Sequence, residues 1–280
     1  MARWLGPIRS VTVVTQDVAR SADAYREHLG YRIEGEGGID DELARAWQAP
    51  CSAGAPWITL GPASGIGGSV RLVQGAVPPT YRPARSFGWA AMEICVPDVD
   101  ALAQRLDGTC FRTLIPPTPL AGLAAPALRA MQSVGPSGEL IYFTEILGPL
   151  PPFELPQCSG AVDGVFIAVV AASDLEATRH WFERRFDVQR ASDRQVAVQV
   201  INTSFGLPLD TVHRISSLQL RGSTAIEHDQ YPALATQRPV EEGHLPPGVA
   251  SVAIRADLGA TGGHAVLVGP DGLRVELVSD

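Results

Sequence analysis

The chain contains an internal repeat in which a strand, an aspartate, a helix and a second strand follow one another. The segment "SVTVVTQDVARSADAYREHLGYRIEGEG" begins at Ser10, and "IAVVAASDLEATRHWFERRFDVQRAS" begins at Ile167. In each copy an aspartate, Asp17 or Asp174, can accept a backbone N–H in the first turn of a helix. Apolar residues follow at helical spacing: Val18, Ala22, Tyr25 and Leu29 in the first copy, and Leu175, Thr178, Phe182 and Phe186 in the second. Both apolar stripes should therefore pack on a sheet.

Two weaker copies bring the number of modules to four. "AAMEICVPDVDALAQRL" carries Asp98 after an apolar strand, and "VASVAIRADLG" carries Asp257. A segment rich in Pro and Gly, "LGPLPPFELPQCSGAVDG", separates the modules into two pairs and is typical of a linker. The sequence therefore predicts one domain at 1–148, a linker at 149–161 and a second domain at 162–280, each pair of modules forming its own cleft.

The third and fourth modules depart from the full repeat. Too few residues separate Asp257 from the Gly269–Pro270 turn for both a helix and a strand. The fourth module should therefore keep its first strand and the closing hairpin "GHAVLVGPDGLRVELV". The third module contains an extra segment, "RQVAVQVINTSFGLPLD", whose apolar periodicity predicts a helix that ends near Gly206.

Composition excludes several classes of protein. Of 280 residues 45% are hydrophobic and 19% are charged, which is typical of a globular chain and not of a disordered one. The net charge is −8 and no basic run occurs, so no nucleic-acid partner is expected. No apolar stretch reaches the roughly 18 residues of a membrane span, and the N-terminal residues lack a signal-peptide pattern. We therefore expect a cytoplasmic protein without a membrane partner. The four cysteines have no CxxC spacing, which gives no support to a zinc–thiolate site.

These motifs resemble those of the glyoxalase / bleomycin-resistance / extradiol-dioxygenase superfamily, also called vicinal oxygen chelate proteins. The resemblance rests on "VTVVTQDVARSADAYREHLGYRIEGEG", "MEICVPDVDALAQRL" and the closing hairpins "VGPSGELIYFTEI" and "VGPDGLRVELVS". It covers nearly the whole chain. It implies an α+β fold: tandem glyoxalase-like domains, built from βαβββ modules, whose curled mixed sheets surround clefts. Many members hold a divalent metal in the cleft and polarise substrate oxygens with it.

The resemblance also implies where metal ligands would stand. One position lies seven residues before each helix-capping Asp, and another lies four residues after the turn glycine of the closing hairpin. In the first domain these positions hold Ser10, Ala91 and Tyr142, and the remaining strand offers Gln74 at best. A divalent ion in a protein is usually held by at least three ligating side chains. This set does not supply three, so no metal site is expected in the first domain.

In the second domain the first-strand positions hold Ile167 and Ala250, whereas the final strands carry Glu227 and Glu276. Because side chains alternate along a strand, Glu227 and Asp229 should share one face of their strand. For the same reason Arg274 and Glu276 should share one face of the closing hairpin. A divalent metal held by the two glutamates is the alternative to a protein without a cofactor. It would need a histidine as well, and the candidates are His228, which should point away from Glu227, His244 and His264. The other interpretation is that Glu276 pairs with Arg274 or a nearby donor, and that Glu227 belongs to a hydrogen-bonded pocket.

Two functions follow. The first is a protein that binds a small apolar or aromatic molecule without a metal, because Tyr142 offers a ring and a hydroxyl where the family offers a ligand. Its candidate ligand-binding residues are Trp57, Trp89, Tyr142, Tyr231 and Arg274. The second is a lyase, isomerase or ring-cleaving dioxygenase that uses the second domain, with Glu227 and Glu276 as catalytic residues. The expected partner is a small molecule, and a homodimer is left open.

Overall fold

The computed structural model describes residues 3–120, 127–190, 193–258 and 264–279. The first module consists of β1 (Arg3–Thr15), α1 (Val18–Leu29), β2 (Arg32–Gly38), α2 (Asp41–Ala46), β3 (Pro56–Gly61) and β4 (Ser69–Gln74). The second consists of β5 (Gly88–Val96), α3 (Val99–Leu106), β6 (Arg112–Pro119), β7 (Leu128–Val134) and β8 (Leu140–Ile146). Both follow the βαβββ order, and the first contains the additional short helix α2.

The second half of the chain contains one extended and one shortened module. The third module consists of β9 (Val165–Ala172), α4 (Leu175–Glu183), β10 (Phe186–Asp187), β11 (Gln189–Arg190), β12 (Arg194–Ala197), α5 (Gln199–Phe205), β13 (Val212–Gln219) and β14 (Ala225–Gln230). The fourth consists of β15 (Gly248–Ala256), β16 (His264–Val268) and β17 (Arg274–Val278). The extra helix α5 ends as predicted at Gly206, whose φ of 65° places it in the left-handed region that glycine adopts without strain.

The predicted helix starts are confirmed. The carboxylates of Asp17, Asp98 and Asp174 accept the backbone N–H three residues further on, at 2.9, 2.9 and 3.0 Å. The apolar stripe of α1 is buried as predicted. In the third module the stripe is buried, but Phe186 lies in β10 because α4 ends at Glu183.

Strand pairing differs from the expected pairing of consecutive modules. The first sheet has the order β16-β17-β15-β1-β4-β3-β2, with β10 beside β1, and the second has the order β11-β13-β14-β9-β5-β8-β7-β6, with β12 beside β13. The first module therefore shares a sheet with the fourth, and the second with the third. The antiparallel joints are β1 with β15, where Val11 faces Val252, and β5 with β9, where Ala91 faces Val169.

Each cleft consequently takes residues from both halves of the chain, and the expectation of one cleft in each half is wrong. The first strands of all four modules are similar apolar segments, so local pattern alone does not select which two of them pair. The boundary at 149–161 remains a prediction, and both sheets contain strands from either side of it.

The largest apolar core joins the two sheets. It contains residues of β1, β5 and β9 together with the inner faces of α1, α3 and α4. A buried hydrogen bond also links the first two modules, because Tyr25 Oη on α1 donates to Glu139 Oε1 beside the β7–β8 turn at 2.6 Å. Over the ranges given above, no helix is long and apolar enough to span a membrane.

Candidate functional site

The cleft of the second sheet contains a cavity of about 110 Å³. Apolar side chains from several strands and from the segment after β8 form most of its wall, among them Ile115, Leu128, Leu150, Phe153, Ile167 and Ile215. Polar side chains complete the wall, among them Glu93, Gln132, Tyr142, Arg194, Ser217 and Glu227. A largely apolar concave site with a few converging polar groups is the usual form of a small-molecule site.

Strand register explains why these polar groups meet. Gln132 on β7 lies opposite Tyr142 on β8, and Tyr142 lies opposite Glu93 on β5. On the other side of the joint, Ser217 on β13 lies opposite Glu227 on β14. Residues opposite one another on neighbouring strands point to the same face of a sheet. These polar side chains therefore lie on the cleft face, on both sides of the β5–β9 pairing that joins modules two and three.

Glu93 is the central carboxyl of the cavity. Its Oε2 accepts a hydrogen bond from Thr144 Oγ1 at 2.9 Å. Burial, with the nearby Glu227 carboxylate adding to it, raises the pKa of Glu93 to about 8. The hydrogen bond from Thr144 and the charge of Arg194 oppose that shift. At neutral pH the protonated form of Glu93 therefore predominates.

Two further carboxyls belong to the same group. Burial raises the pKa of Glu227, and the charge of Arg194, whose Nη2 lies 3.9 Å from Glu227 Oε2, opposes the shift. Burial also raises the pKa of Asp229 well above its ordinary value, and the negative charges of Glu227 and Glu93 add to this. Asp229 is fully buried and lies opposite Ile215, a residue of the cavity wall. Three carboxyls thus face one guanidinium.

Several buried polar atoms of this region have no hydrogen-bond partner among the described residues. They are Gln132 Oε1, both carboxyl oxygens of Asp229 and the hydroxyl of Tyr231. A buried polar group without a partner costs about 1–3 kcal/mol. Of these three residues, Gln132 lines the cavity, Asp229 lies opposite the cavity residue Ile215, and Tyr231 packs in the same cluster as Tyr142.

The structure brings together only some of the predicted site residues. Tyr142 and Glu227 line the cavity, and Tyr231 packs in the same apolar cluster as Tyr142. Trp89 does not join them. It is 2% exposed, lies in the main core, and its Nε1 donates to the carbonyl oxygen of Arg274 at 2.9 Å. The predicted pocket shared by Trp89 and Tyr142 is therefore not formed, because Trp89 faces the core that joins the sheets.

Three other predicted residues lie in the first sheet. Trp57 is on β3, half-buried beside Gly37 of the neighbouring strand. Arg274 is on β17, and its Nε donates to the carbonyl oxygen of Trp47 at 2.6 Å. Glu276 is also on β17, so Glu276 and Glu227 belong to different sheets and do not share a site.

The cleft of the first sheet is filled by the protein itself. Trp47, which follows α2, is completely buried there and packs with Val14, Val73 and Ala250. The guanidinium of Arg71 lies 5.0 Å from the centre of the Trp47 ring, a cation–π contact. The segment around α2 therefore occupies the space that a ligand would take in an open cleft.

Arg71 is also the partner of Glu276. Its Nη2 donates to Glu276 Oε1 at 2.5 Å, and His264 Nε2 lies 3.2 Å from Glu276 Oε2. Burial opposes ionisation of Glu276, but the charge of Arg71 and hydrogen bonds from His264, Arg71 and Ser251 outweigh it and lower the pKa to about 2. Glu276 is ion-paired as predicted, but its partner is Arg71 on β4 and not Arg274, which donates to backbone carbonyls.

The residues present do not fit the metal that the family resemblance implies. Within the described ranges no three His, Cys, Asp or Glu side chains converge as metal ligands. His228 faces away from the cavity, as predicted, and packs 5.3 Å from the Phe182 ring. His244 contacts the carbonyl oxygen of Glu242, and His264 contacts Glu276. At Glu276, the position at which the family offers a ligand, the guanidinium of Arg71 supplies the positive charge.

Sequence reasoning missed most of the cavity wall, including four polar residues named above: Glu93, Gln132, Arg194 and Ser217. One of them left a signal. Glu93 is the only charged residue in the apolar run "AAMEICV", and a carboxyl in a buried strand requires a specific environment. The other three gave no signal, because their role depends on which strands meet in the cleft.

A scan against protein-family models finds no match, and neither does a search of curated proteins. Solved structures do match. Glyoxalase I from Zea mays is 16% identical, with a TM-score of 0.61, and the match covers 98% of this chain and 92% of that one. A mutant of the same enzyme gives 16% identity and a TM-score of 0.63, covering 98% and 93%. A putative dioxygenase from Bacillus subtilis subsp. subtilis str. 168 is 13% identical, with a TM-score of 0.62, covering 100% and 86%.

The matches confirm the fold that the sequence motifs imply. The chain has the fold of glyoxalase I over nearly its full length, with the modules in tandem. At this level of identity the likeness concerns the fold and not the activity.

Proposed function

We propose that this protein binds a small, mainly apolar or aromatic organic molecule in the cavity of the second sheet, without a metal. The observation that carries the proposal is the cavity itself, in which apolar walls surround the polar groups of Glu93, Gln132 and Tyr142. Its volume is of the same order as the cavity of about 150 Å³ that takes up a single aromatic ring in an engineered protein. In the first cleft the Trp47 side chain packs against Val14, Val73 and Ala250.

The test is binding of neutral aromatic probes, namely phenol, indole and benzyl alcohol, measured by saturation-transfer NMR and by the shift in melting temperature. We expect at least one probe to bind the native protein. Ala197→Phe adds a ring to the cavity wall and should abolish binding, whereas Ile33→Phe, an exposed position on the first sheet, should not. Absence of binding by all three probes and by benzylamine, or binding that Ala197→Phe leaves unchanged, overturns the proposal.

A second candidate function is metal-independent proton transfer on the bound molecule, as in an isomerase or lyase. The observation that favours it is the pKa of Glu93, which burial raises to about 8, near the pH at which a general acid or base works best. Glu227 supplies a second carboxyl in the same cavity. The test is exchange of carbon-bound hydrogen in the ligand with deuterated water, which Glu93→Gln should stop without preventing binding.

A further inference from the structure

The cavity of the second sheet holds more carboxyl groups than its own cations and donors can balance if these groups ionise. Glu93, Glu227 and Asp229 contribute three carboxyls, and Arg194 is the cation beside them. Arg194 lies 3.9 Å from Glu227, beyond hydrogen-bond distance. Thr144 donates to one oxygen of Glu93. Ionisation of more than one of these carboxyls would therefore leave negative charge without a compensating cation.

Unpartnered acceptors give independent support. Gln132 is 6% exposed and lines the cavity, and its Oε1 has no donor among the described residues. Asp229 is fully buried beside the cavity, and neither of its oxygens has a donor within the described ranges. An amide oxygen and two carboxyl oxygens share at most one donor, the proton of a neutral Asp229, so at least one of these acceptors still requires a donor from elsewhere. A ligand that fills this site should therefore donate hydrogen bonds.

We propose that the cavity recognises an organic amine in its protonated form, with the ammonium group held by Glu93, Glu227 and Gln132 and the apolar part against the surrounding wall. This inference rests on the proposed function and names its ligand class. An ammonium group combines a positive charge with three donors, which matches the deficit of the site in both respects. Phe153 and Tyr142 line the cavity and offer aromatic surface to an apolar ligand body, and the Arg194 guanidinium lies 5.9 Å from the centre of the Phe153 ring.

The protonation state of the site gives this proposal a distinct signature. Glu93 on β5 faces Tyr142 of β8, Glu227 and Asp229 of β14, and Arg194 of β12. A bound ammonium favours the ionised form of Glu93, so binding near neutral pH should release a proton. A neutral ligand of the same shape lacks this effect. Affinity for the amine should consequently rise from pH 6 to pH 8, whereas affinity for the neutral compound should change little.

The experiment compares benzylamine with benzyl alcohol and benzoate by isothermal titration calorimetry on the full-length protein. Each titration is run at pH 6, 7 and 8, and in phosphate and Tris buffers to count released protons. We expect benzylamine to bind at least about tenfold more tightly than benzyl alcohol at pH 8, as one charge-assisted hydrogen bond would give. Benzoate should bind most weakly, because its charge repels the carboxyls.

Variants separate recognition from folding. Glu93→Gln keeps the shape of the side chain and should reduce benzylamine affinity by about tenfold or more, with a clearly smaller loss of benzyl alcohol affinity. Asp100→Asn, which removes an exposed carboxyl from α3, should change neither. Melting curves of both variants establish that they remain folded.

The outcomes are distinguishable. Equal binding of benzylamine and benzyl alcohol, abolished by Ala197→Phe, overturns the amine proposal and leaves the proposed function standing. Failure of every probe to bind overturns both. Benzylamine affinity that depends on added Mg²⁺ or Zn²⁺, and that EDTA abolishes, also overturns the amine proposal, since an ion would then balance the carboxyls.

Discussion

Arg71 Nη2 donates to Glu276 Oε1 across 2.5 Å, although the two residues are 205 positions apart in the sequence. Arg71 belongs to the first module and Glu276 to the fourth, so this ion pair spans the sheet that the two modules share. The Glu276 side chain is 1% exposed and that of Arg71 is 15% exposed. A pair at this depth behaves unlike a surface ion pair, because removing one partner leaves the other charge buried without compensation.

We expect Glu276→Gln to lower the free energy of unfolding by about 3–5 kcal/mol at pH 7, the range for breaking a buried ion pair. The matched control is Asp100→Asn, which breaks the exposed pair with Arg129 and should cost about 0–1 kcal/mol. Urea denaturation of the native protein and both variants provides the comparison. Similar losses in the two variants would show that the Arg71–Glu276 pair contributes no more than a surface pair.

The same pair predicts a pH dependence. The pKa of Glu276 is lowered to about 2 in the folded state from an ordinary value of 4.5. Its contribution to stability is therefore complete above pH 4.5 and is lost as the pH falls towards 2. Glu276→Gln should remove this part of the acid sensitivity, so the difference in stability from the native protein should shrink as the pH is lowered through this window. A constant difference would contradict the prediction.

Trp89→Ala should destabilise the fold by about 3–5 kcal/mol, as expected for a completely buried aromatic side chain. The substitution also removes the donor to the carbonyl oxygen of Arg274. Trp57→Ala, at a half-buried position on β3, is the matched control and should cost clearly less. Thermal unfolding measures both. If the Trp89→Ala protein were stable but bound the probes more weakly, Trp89 would contribute to ligand binding and not mainly to the core.

The sequence predicts where the helices start but not which strands pair. Helix starts at Asp17, Asp98 and Asp174 follow from contacts within three residues, and the sequence predicts all of them. Which strands join a sheet depends on contacts between distant segments that look alike. The cavity depends on that choice, because β5 meets β9 and not a strand of the first module.

The direction and the partner of an individual side chain also depend on contacts between distant segments. A bulge between Trp89 and Ala91 changes the register of β5 against β9, so simple alternation from the sequence does not assign Trp89 to the correct face. Similarly, the residue two positions from Glu276 is Arg274, yet the charge that Glu276 meets comes from Arg71 on another strand.

Tyr25→Phe tests the buried link between the first two modules. Tyr25 Oη donates to Glu139 Oε1 at 2.6 Å, and the backbone N–H of Ser137 donates to Glu139 Oε2 at 2.8 Å. Loss of the hydroxyl should lower the free energy of unfolding by about 1–3 kcal/mol. Tyr31→Phe is a matched control, because Tyr31 Oη donates at 2.7 Å to the backbone carbonyl oxygen of Asp163. A backbone carbonyl has no proton to titrate.

The two tyrosine variants should differ in pH dependence. Burial raises the pKa of Glu139 from 4.5 to about 7, and the hydrogen bond from Tyr25 opposes the shift. The folded state thus keeps a proton that the unfolded state loses, so this carboxyl makes stability fall as the pH rises from 4.5 to about 7. In Tyr25→Phe the pKa should rise further and the fall should continue above pH 7. Stability measured at pH 5, 7 and 9 should show this extension in Tyr25→Phe and not in Tyr31→Phe.

Cleavage of the predicted linker should leave the protein assembled. Both sheets combine strands from either side of residues 149–161, through β1 with β15 and β5 with β9. A specific protease site inserted after the exposed Gln157 would cut the chain there without cutting a strand. We expect the two fragments to elute together from a gel-filtration column in native buffer and to separate in urea. The shared main-chain hydrogen bonds and the common apolar core would hold them, since neither fragment contains a whole sheet. Separate elution in native buffer, with each fragment folded by circular dichroism, would show instead that each half forms an independent domain.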